Sequence, residues 1–314
     1  MSTTRLRNIK YVVNNAKYVS INQNQLVQVC KSIKLNNHNT NQPYHKLVFN
    51  NLNERINFLL MFASINFAFW GSGLKYQKKG FDQHGSLAFM MHLYDHFKTI
   101  SQLITTDQIN KFTASDLNHI IDNQQILLLQ ERVNLIKQTA HALFDKLNNS
   151  YLGLLEKVHF DINKIIASTI KIIPSFKDWS QYDDKTIKFD KRIQALISHL
   201  YNFTELKHKV HNINTLTGLA DYRLPQIFRH LGILKYTKSL EQIIDKQIEL
   251  KHNSMQEIEI RCFTLWIIEL MKKQLLSITG NQYSAIQLDN YFWWISRNNH
   301  SIIHPHHRTI SIYY

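Results

Sequence analysis

From Ile258 to Leu275 the chain reads as a helix that is apolar on nearly every side, with Phe263, Leu265, Trp266, Ile267 and Met271 spread around its circumference. Such a helix is stable only when it is covered all round, so it should run through the centre of a fold. Its first turn nevertheless carries Glu257, Glu259 and Arg261. Ions in that setting are costly unless paired or used, and the i,i+4 spacing of Glu257 and Arg261 favours an internal brace. Ser254, three residues ahead of Glu257, supplies a capping-box start.

The cover for this helix should also be helical, because four Pro and eight Gly in 314 residues are too few for a turn-dense β-sandwich. The length suits one domain over residues 1–314, built as one large unit or as two closely packed helical halves joined near 175–188, a polar and aromatic stretch that reads as a surface connection. A short extended piece, Tyr18 to Ile21, precedes a helix capped by Asn22 with Gln25 three residues on, whose buried stripe is Leu26, Val29 and Ile33. A polar loop over 34–43 leads to a helix expected from Asn53 to Trp70, a Gly-bearing connection from Gly71 to Gly85, and a helix from Ser86 to about Phe97. Helical periodicity resumes at Ser115, over 124–147 and over 152–172, where Pro174 closes it. A helix from about Arg192 to Leu206 leads into Asn214 to Ala220, followed by a break at Asp221-Tyr222-Arg223 and a new helix with Pro225 in its first turn and Gly232 at its end. Ser284 and Gln287 cap a final helix from Ala285 to about Ser296, and the alternating tail Thr309 to Tyr314 suggests a short, docked strand.

The 37 Lys and Arg against 23 Asp and Glu give a formal charge of +14, a field that attracts polyanions, nucleotides or acidic membrane surfaces without choosing among them. The Lys residues are scattered, so a solvated basic surface is the competing reading. Cys30 and Cys262, far apart and inside helical patterns, argue against a disulfide framework and for a reducing cytoplasm. The run Ile56 to Trp70 falls short of the roughly 20 residues of a membrane span and contains Asn57 and Asn66, so it reads as core. No apolar segment or cleavage site follows the basic Arg5, Arg7 and Lys10, and export is not expected. P-loop, nucleophile-elbow and zinc-helix motifs are absent, and Gly71-Ser72-Gly73 follows a helix where a dinucleotide fingerprint requires a strand. His300, His304, His306 and His307 could ligate a metal, but Pro305 and the extended reading splay the rings, which favours hydrogen-bonding or phosphate-contacting imidazoles near Arg308. No metal and no cofactor is expected.

Asp289 is the sharpest catalytic candidate. Counted from Ser284 it lies in the second turn of its helix, where the macrodipole favours the ionised carboxylate, and Phe292 and Trp293 share its face. An ionised acid beside aromatics suits stabilisation of a cationic sugar transition state better than proton donation. The competing reading is mere support of the helix N-terminus. Asp221 precedes a helix and has Arg223 nearby, so a buried cap or ion pair is its favoured role, while the planar guanidinium of Arg223 suits phosphate.

Taken together and in order, His45, Asn66-Phe67-Ala68-Phe69-Trp70, Ala220 to Gln226, Leu231 to Leu234, Glu257 to Arg261, Asp289 with Trp293, and His306 to Tyr314 resemble the queuosine salvage protein family. The resemblance implies a mainly α fold similar to helix-hairpin-helix DNA glycosylases, with short β segments near the termini. It implies a cytosolic, metal-independent N-glycosylase that releases queuine from queuosine 5'-monophosphate, with a small-molecule nucleotide partner, no stable nucleic-acid complex and no membrane. Asp289 would be the catalytic carboxylate and His45 a contact to the base or its cyclopentenediol. Val210, His211, Asn212, Asp221, Arg223, Asn290 and Trp294 would lie on the substrate side. Queuine is a 7-deazaguanine and lacks the ring nitrogen whose protonation helps a purine leave, so a carboxylate that stabilises the sugar cation gains importance. Relatives tend to carry an aromatic followed by polar residues where this chain has Val210-His211-Asn212, and an acid where it has Trp294. Both departures bear on fine specificity. The competing function is a non-catalytic basic helical protein that binds tRNA or other nucleic acid, which salt would weaken steeply.

Overall fold

Helix-favouring composition and sparse turn residues yield the expected mainly α architecture. A computed structural model describes residues 4–33, 35, 47–71, 76–96, 107–298 and 303–314, and among them strands occur only as short antiparallel pairs. His45, Ser72, Gly73, Phe97, His300 and, save for Leu35, the loop read over 34–43 lie outside the described residues. The chain divides into two compact units. One comprises Met1–Thr40, Asp178–Lys191 and Ile213–Ile310, and the other Asn41–Lys177, Arg192–Asn212 and Ser311–Tyr314.

In the first unit the apolar helix spans Met255–Thr279 and buries Ile258, Ile260, Phe263, Leu265, Ile267, Ile268 and Met271. Full burial of such side chains contributes about 1.5–3 kcal/mol each. Ser254 Oγ accepts the Glu257 N–H at 3.3 Å, but only half of the capping box forms, because the Glu257 carboxylate accepts instead from the Asn253 N–H at 3.2 Å. Around this helix pack Gln23–Ser32, capped as expected by Asn22, and Arg223–His230. A helix not anticipated from the sequence, Thr4–Asn15, contributes Ile9 and Val12 to a second core cluster, with Ile258, Cys262 and Leu265 of the central helix. Val19–Ile21 pairs antiparallel with Leu234–Tyr236 just after Gly232, whose φ of +72° allows the turn. Ser284 and Gln287 cap Ala285–Asn298 reciprocally, at 2.8 and 3.2 Å.

Three expectations need correction. The stretch 175–188, within which the division between the units falls at Lys177 and Asp178, is not an irregular connection: Trp179–Tyr182 and Lys185–Lys188 form a hairpin whose alternation buries Tyr182 and Ile187. Asn214 to Ala220 is not helical beyond a single tight turn at Ile213–Thr215. The tail forms no strand. Its Arg308 makes one isolated bridge to Glu249, and it docks through single contacts.

The second unit is built around Leu52–Ile65, which ends five residues before the expected Trp70. Two fully buried arginines account for this. Arg132 donates to the carbonyls of Ile65 and Phe67, and Arg192 to those of Ser64 and Ser175. Carbonyls that would accept from a further helical turn are thus already satisfied. Ala68 takes a left-handed φ of 48°, and Phe67 and Phe69 face the Arg132 guanidinium at 4.2 and 5.0 Å. The Ala68 N–H donates to the Tyr314 carbonyl at 3.2 Å, which anchors the chain terminus. The periodic stretch 152–172 is two helices, Tyr151–Lys157 and Ile162–Ile172, separated by left-handed His159 and Phe160 and restarted by Asp161, which accepts the Lys164 N–H. Leu129–His141 starts later than expected, after left-handed Leu128, and passes into one wide turn over Ala142–Lys146. No described helix is long and apolar enough to cross a membrane.

Candidate active site

The brace at the start of the central helix organises the first unit's polar interior. Arg261 donates to both Asp178 oxygens at 2.9 and 2.6 Å, while Glu257, the partner expected from sequence, stands off at 3.6 Å. The guanidinium lies 3.8 Å from the Phe189 ring centroid, and its Nε donates to the Ala220 carbonyl at 3.2 Å. Asp178 Oδ2 also accepts the Lys191 N–H at 3.1 Å. One buried pair therefore fixes two places at once, the residue before Asp221 and the start of the helix that opens with Lys191. Glu259 serves the same framework by accepting the N–H groups of Lys17, Tyr18 and Val19.

On this framework Asp221 acts as the expected cap. Its Oδ1 accepts the N–H groups of Arg223 and Leu224 at 2.8 and 3.2 Å. Arg223 does not turn its guanidinium back to Asp221; Nη1 donates to Gln226 Oε1 at 3.2 Å. Asp289, only 3 % exposed, reaches from Ala285–Asn298 so that Oδ2 accepts the Leu219 N–H at 3.1 Å. Burial, reinforced by the Asp221 charge, pushes the Asp289 carboxyl well above the ordinary carboxylate range, while the Leu219 N–H and Lys191 oppose the rise. Burial also raises Asp221, against the opposing charge of Lys191 and the two backbone N–H groups.

The expectation that the helix dipole keeps Asp289 readily ionised is thereby corrected. A dipole contribution of about 0.3–1 kcal/mol is outweighed by a desolvation cost of several kcal/mol for a buried ion. Lys191, which is buried, opposes the rise at both carboxyls without cancelling it. Sequence reading passed over it. The signal was a Lys set between Asp190 and Arg192 directly before the apolar Ile193, Leu196 and Ile197.

Asn290 and Trp294 are half-buried on the helix that carries Asp289. The Trp294 indole N–H is buried without an acceptor among the described residues, and one face of its ring already meets the Arg297 guanidinium at 5.9 Å. Val210, His211 and Asn212 belong to the second unit, where they serve a local turn. The His211 N–H donates to the Phe160 carbonyl, and Asn212 Nδ2 donates to Asp161 Oδ2 at 2.6 Å. His306 stacks on Tyr222 at 4.5 Å with Nδ1–H donating to the His307 carbonyl at 2.7 Å. Burial lowers the two imidazoles to about 4 and about 3 respectively. Among the described residues no group of three or more His, Cys, Asp or Glu is arranged to hold a metal ion.

The chain has relatives among known proteins. The chain is 28% identical over 282 residues to the queuosine 5'-phosphate N-glycosylase/hydrolase of Bos taurus, covering 82% of this chain and 81% of the relative. The protein of that name from Sphaerobacter thermophilus is 27% identical over 267 residues, with 82% and 81% covered. That of Mus musculus is 31% identical over 197 residues, with 60% and 58% covered. The family model described as queuosine salvage protein matches residues 45–314, and the chain belongs to that family.

Proposed function

We propose that this chain hydrolyses the N-glycosidic bond of queuosine 5'-monophosphate, releasing queuine and ribose 5-phosphate. The reading is carried by one observation: a buried carboxyl, Asp289, held by a backbone N–H and accompanied by a second carboxyl and a buried lysine. As the bond from the anomeric carbon to the base breaks, its electron pair leaves with the base and positive charge grows on the sugar. The ionised Asp289 stabilises that charge in a site where water does not screen it. Its Oδ2 is committed to Leu219, so Oδ1 is the oxygen that meets the anomeric carbon. Water then adds its oxygen to that carbon, and its proton is balanced by the one gained at the departing nitrogen. Asp289 is costly to ionise in the empty site, and the developing cation relieves that cost in the transition state more than in the ground state, which is the condition for catalysis.

Asp221 and Lys191 set the charge around Asp289, and Arg223, Asn290 and Trp294 line the substrate side. Two free, buried cysteines, Cys30 and Cys262, accord with the reducing cytosol expected for such an enzyme. Incubation with queuosine 5'-monophosphate followed by chromatography should yield free queuine, with EDTA making no difference. Folded protein that releases no base at high enzyme concentration would rule this substrate out.

A further inference from the structure

Asp289 is held by a stretch of chain with no regular structure of its own, Leu216 to Ala220. Its ends are pinned. The Leu216 N–H donates to the Ile213 carbonyl at 3.2 Å, the Ala220 carbonyl accepts from Arg261 Nε at 3.2 Å, and the Asp221 N–H donates back to the Leu219 carbonyl at 2.8 Å. In the middle stands Gly218, buried against the central helix. A Cβ there would lie 3.0 Å from Ile268 Cγ1 and 3.6 and 3.7 Å from its Cβ and Cγ2, the first of these inside the roughly 3.5–4.0 Å at which carbon atoms pack. Ile268 is fully buried midway along its helix, in the core that also holds Leu224, Phe228 and Met271, and has little room to retreat. The irregular stretch is the softer partner. The residue it would carry with it is Leu219, whose N–H meets Asp289 Oδ2 at 3.1 Å.

We propose that Gly218 is a positioning residue for the hydrolysis: its missing side chain lets 216–220 seat on Ile268 at the depth from which the Leu219 N–H reaches Asp289. A hydrogen bond at 3.1 Å is already near the long end of the ordinary range, so a displacement of a few tenths of an ångström weakens it. That bond favours the ionised carboxylate, and stretching it makes Asp289 harder to ionise. Lys191 and Asp221, the charged groups that face Asp289, keep their identity and charge when Gly218 is changed. The role rests on the proposed hydrolysis, in which Asp289 acts ionised.

The test measures pH profiles of kcat/KM for queuosine 5'-monophosphate, together with a carbon NMR titration of the Asp289 carboxyl in the substrate-free protein, assigned by its loss in Asp289→Asn. Gly218→Ala should move the acid limb and the carboxyl midpoint to higher pH, and lower kcat/KM on the acid side about tenfold, the equivalent of roughly one net hydrogen bond. Ile268→Ala removes the carbons that the added methyl meets, so Gly218→Ala/Ile268→Ala should bring limb and midpoint back to their wild-type positions. Gly218→Ala/Ile268→Val keeps the nearest carbon and should stay shifted, and this pair of double variants carries the test if Gly218→Ala does not fold. Ile268→Ala alone leaves a cavity and should melt lower with its limb unmoved, which separates seating from stability. A Gly218→Ala limb that coincides with the wild type, or equal limbs in the two double variants, overturns the role. If the wild type releases no queuine while the carboxyl midpoints move as stated, the hydrolysis reading fails and the seating of Asp289 through Gly218 stands.

Discussion

Replacing Asp289 by Asn should abolish turnover and at the same time make the protein more stable. The unfolded carboxyl ionises near pH 3.9, whereas burial and the Asp221 charge hold the folded one well above its ordinary value. Between those two values folding takes up a proton, so stability falls as pH rises through the window and the full penalty persists above it. Ionising a carboxyl at 3 % exposure costs several kcal/mol. The charge-assisted bond from the Leu219 N–H returns roughly 1.5–3 kcal/mol, which leaves a net penalty on the order of 1–2 kcal/mol. Asn keeps an oxygen for Leu219 and cannot ionise. Asp289→Asn should therefore melt about 2–6 °C above the wild type at pH 8, with the difference closing near pH 4 where both are neutral. Its rate of queuine release should drop at least about 100-fold. Thermal denaturation across pH, paired with the chromatographic assay, reads both effects. A variant that melts below the wild type at pH 8, or turns over within about threefold of it, refutes the argument.

Three further outcomes follow from the same network. Lys191→Met removes the cation that opposes protonation of Asp289, so the acid limb of kcat/KM should move to higher pH; an unmoved limb would uncouple Lys191 from the site. Asp221→Asn and Asp221→Ala should both move that limb to lower pH, and only Ala strands the Arg223 and Leu224 N–H groups, so it should be the less stable of the two by about 1–2 kcal/mol in urea denaturation. Arg132→Met should cost about 2–6 kcal/mol, roughly 1–3 for each of the Ile65 and Phe67 carbonyls left without a donor, and a loss under about 1 kcal/mol would show that Leu52–Ile65 ends there for another reason.

Much of the fold was legible because it is local. The Asn22 cap, the reciprocal Ser284 and Gln287 pair and the all-round apolar central helix are all written within a few residues of one another, and each forms. What was misread depends on partners far along the chain. The Asn66 to Trp70 block carries helical apolarity, and only Arg132 and Arg192, more than sixty residues away, take the carbonyls that would continue the helix. The 175–188 stretch reads as polar and aromatic, and its polar residues hid that Tyr182 and Ile187 join the core around Met255–Thr279. The tail alternates as a strand should, yet it is held by an isolated bridge from Arg308 to Glu249 and by single bonds such as that from the Ala68 N–H to the Tyr314 carbonyl, which local alternation does not reveal.

The candidate site divides along the same line. Asp289 and the cap at Asp221 could be read from position on a helix, since spacing alone puts a carboxyl in a first or second turn. Their electrostatics could not, because a pKa is set by what surrounds the group in space. The ordering of causes matters here. Had the dipole governed, Asp289 would sit ionised in the empty site and the enzyme would gain little by meeting a cation. With burial governing, the carboxylate is unstable until positive charge arrives, and the Asp178–Arg261 pair that fixes both Ala220 and Lys191 is what keeps its two neighbours in place while it waits. On the proposed mechanism the charged residues buried at the start of the central helix would serve the reaction from a distance, by holding the chain segments that carry Ala220 and Lys191.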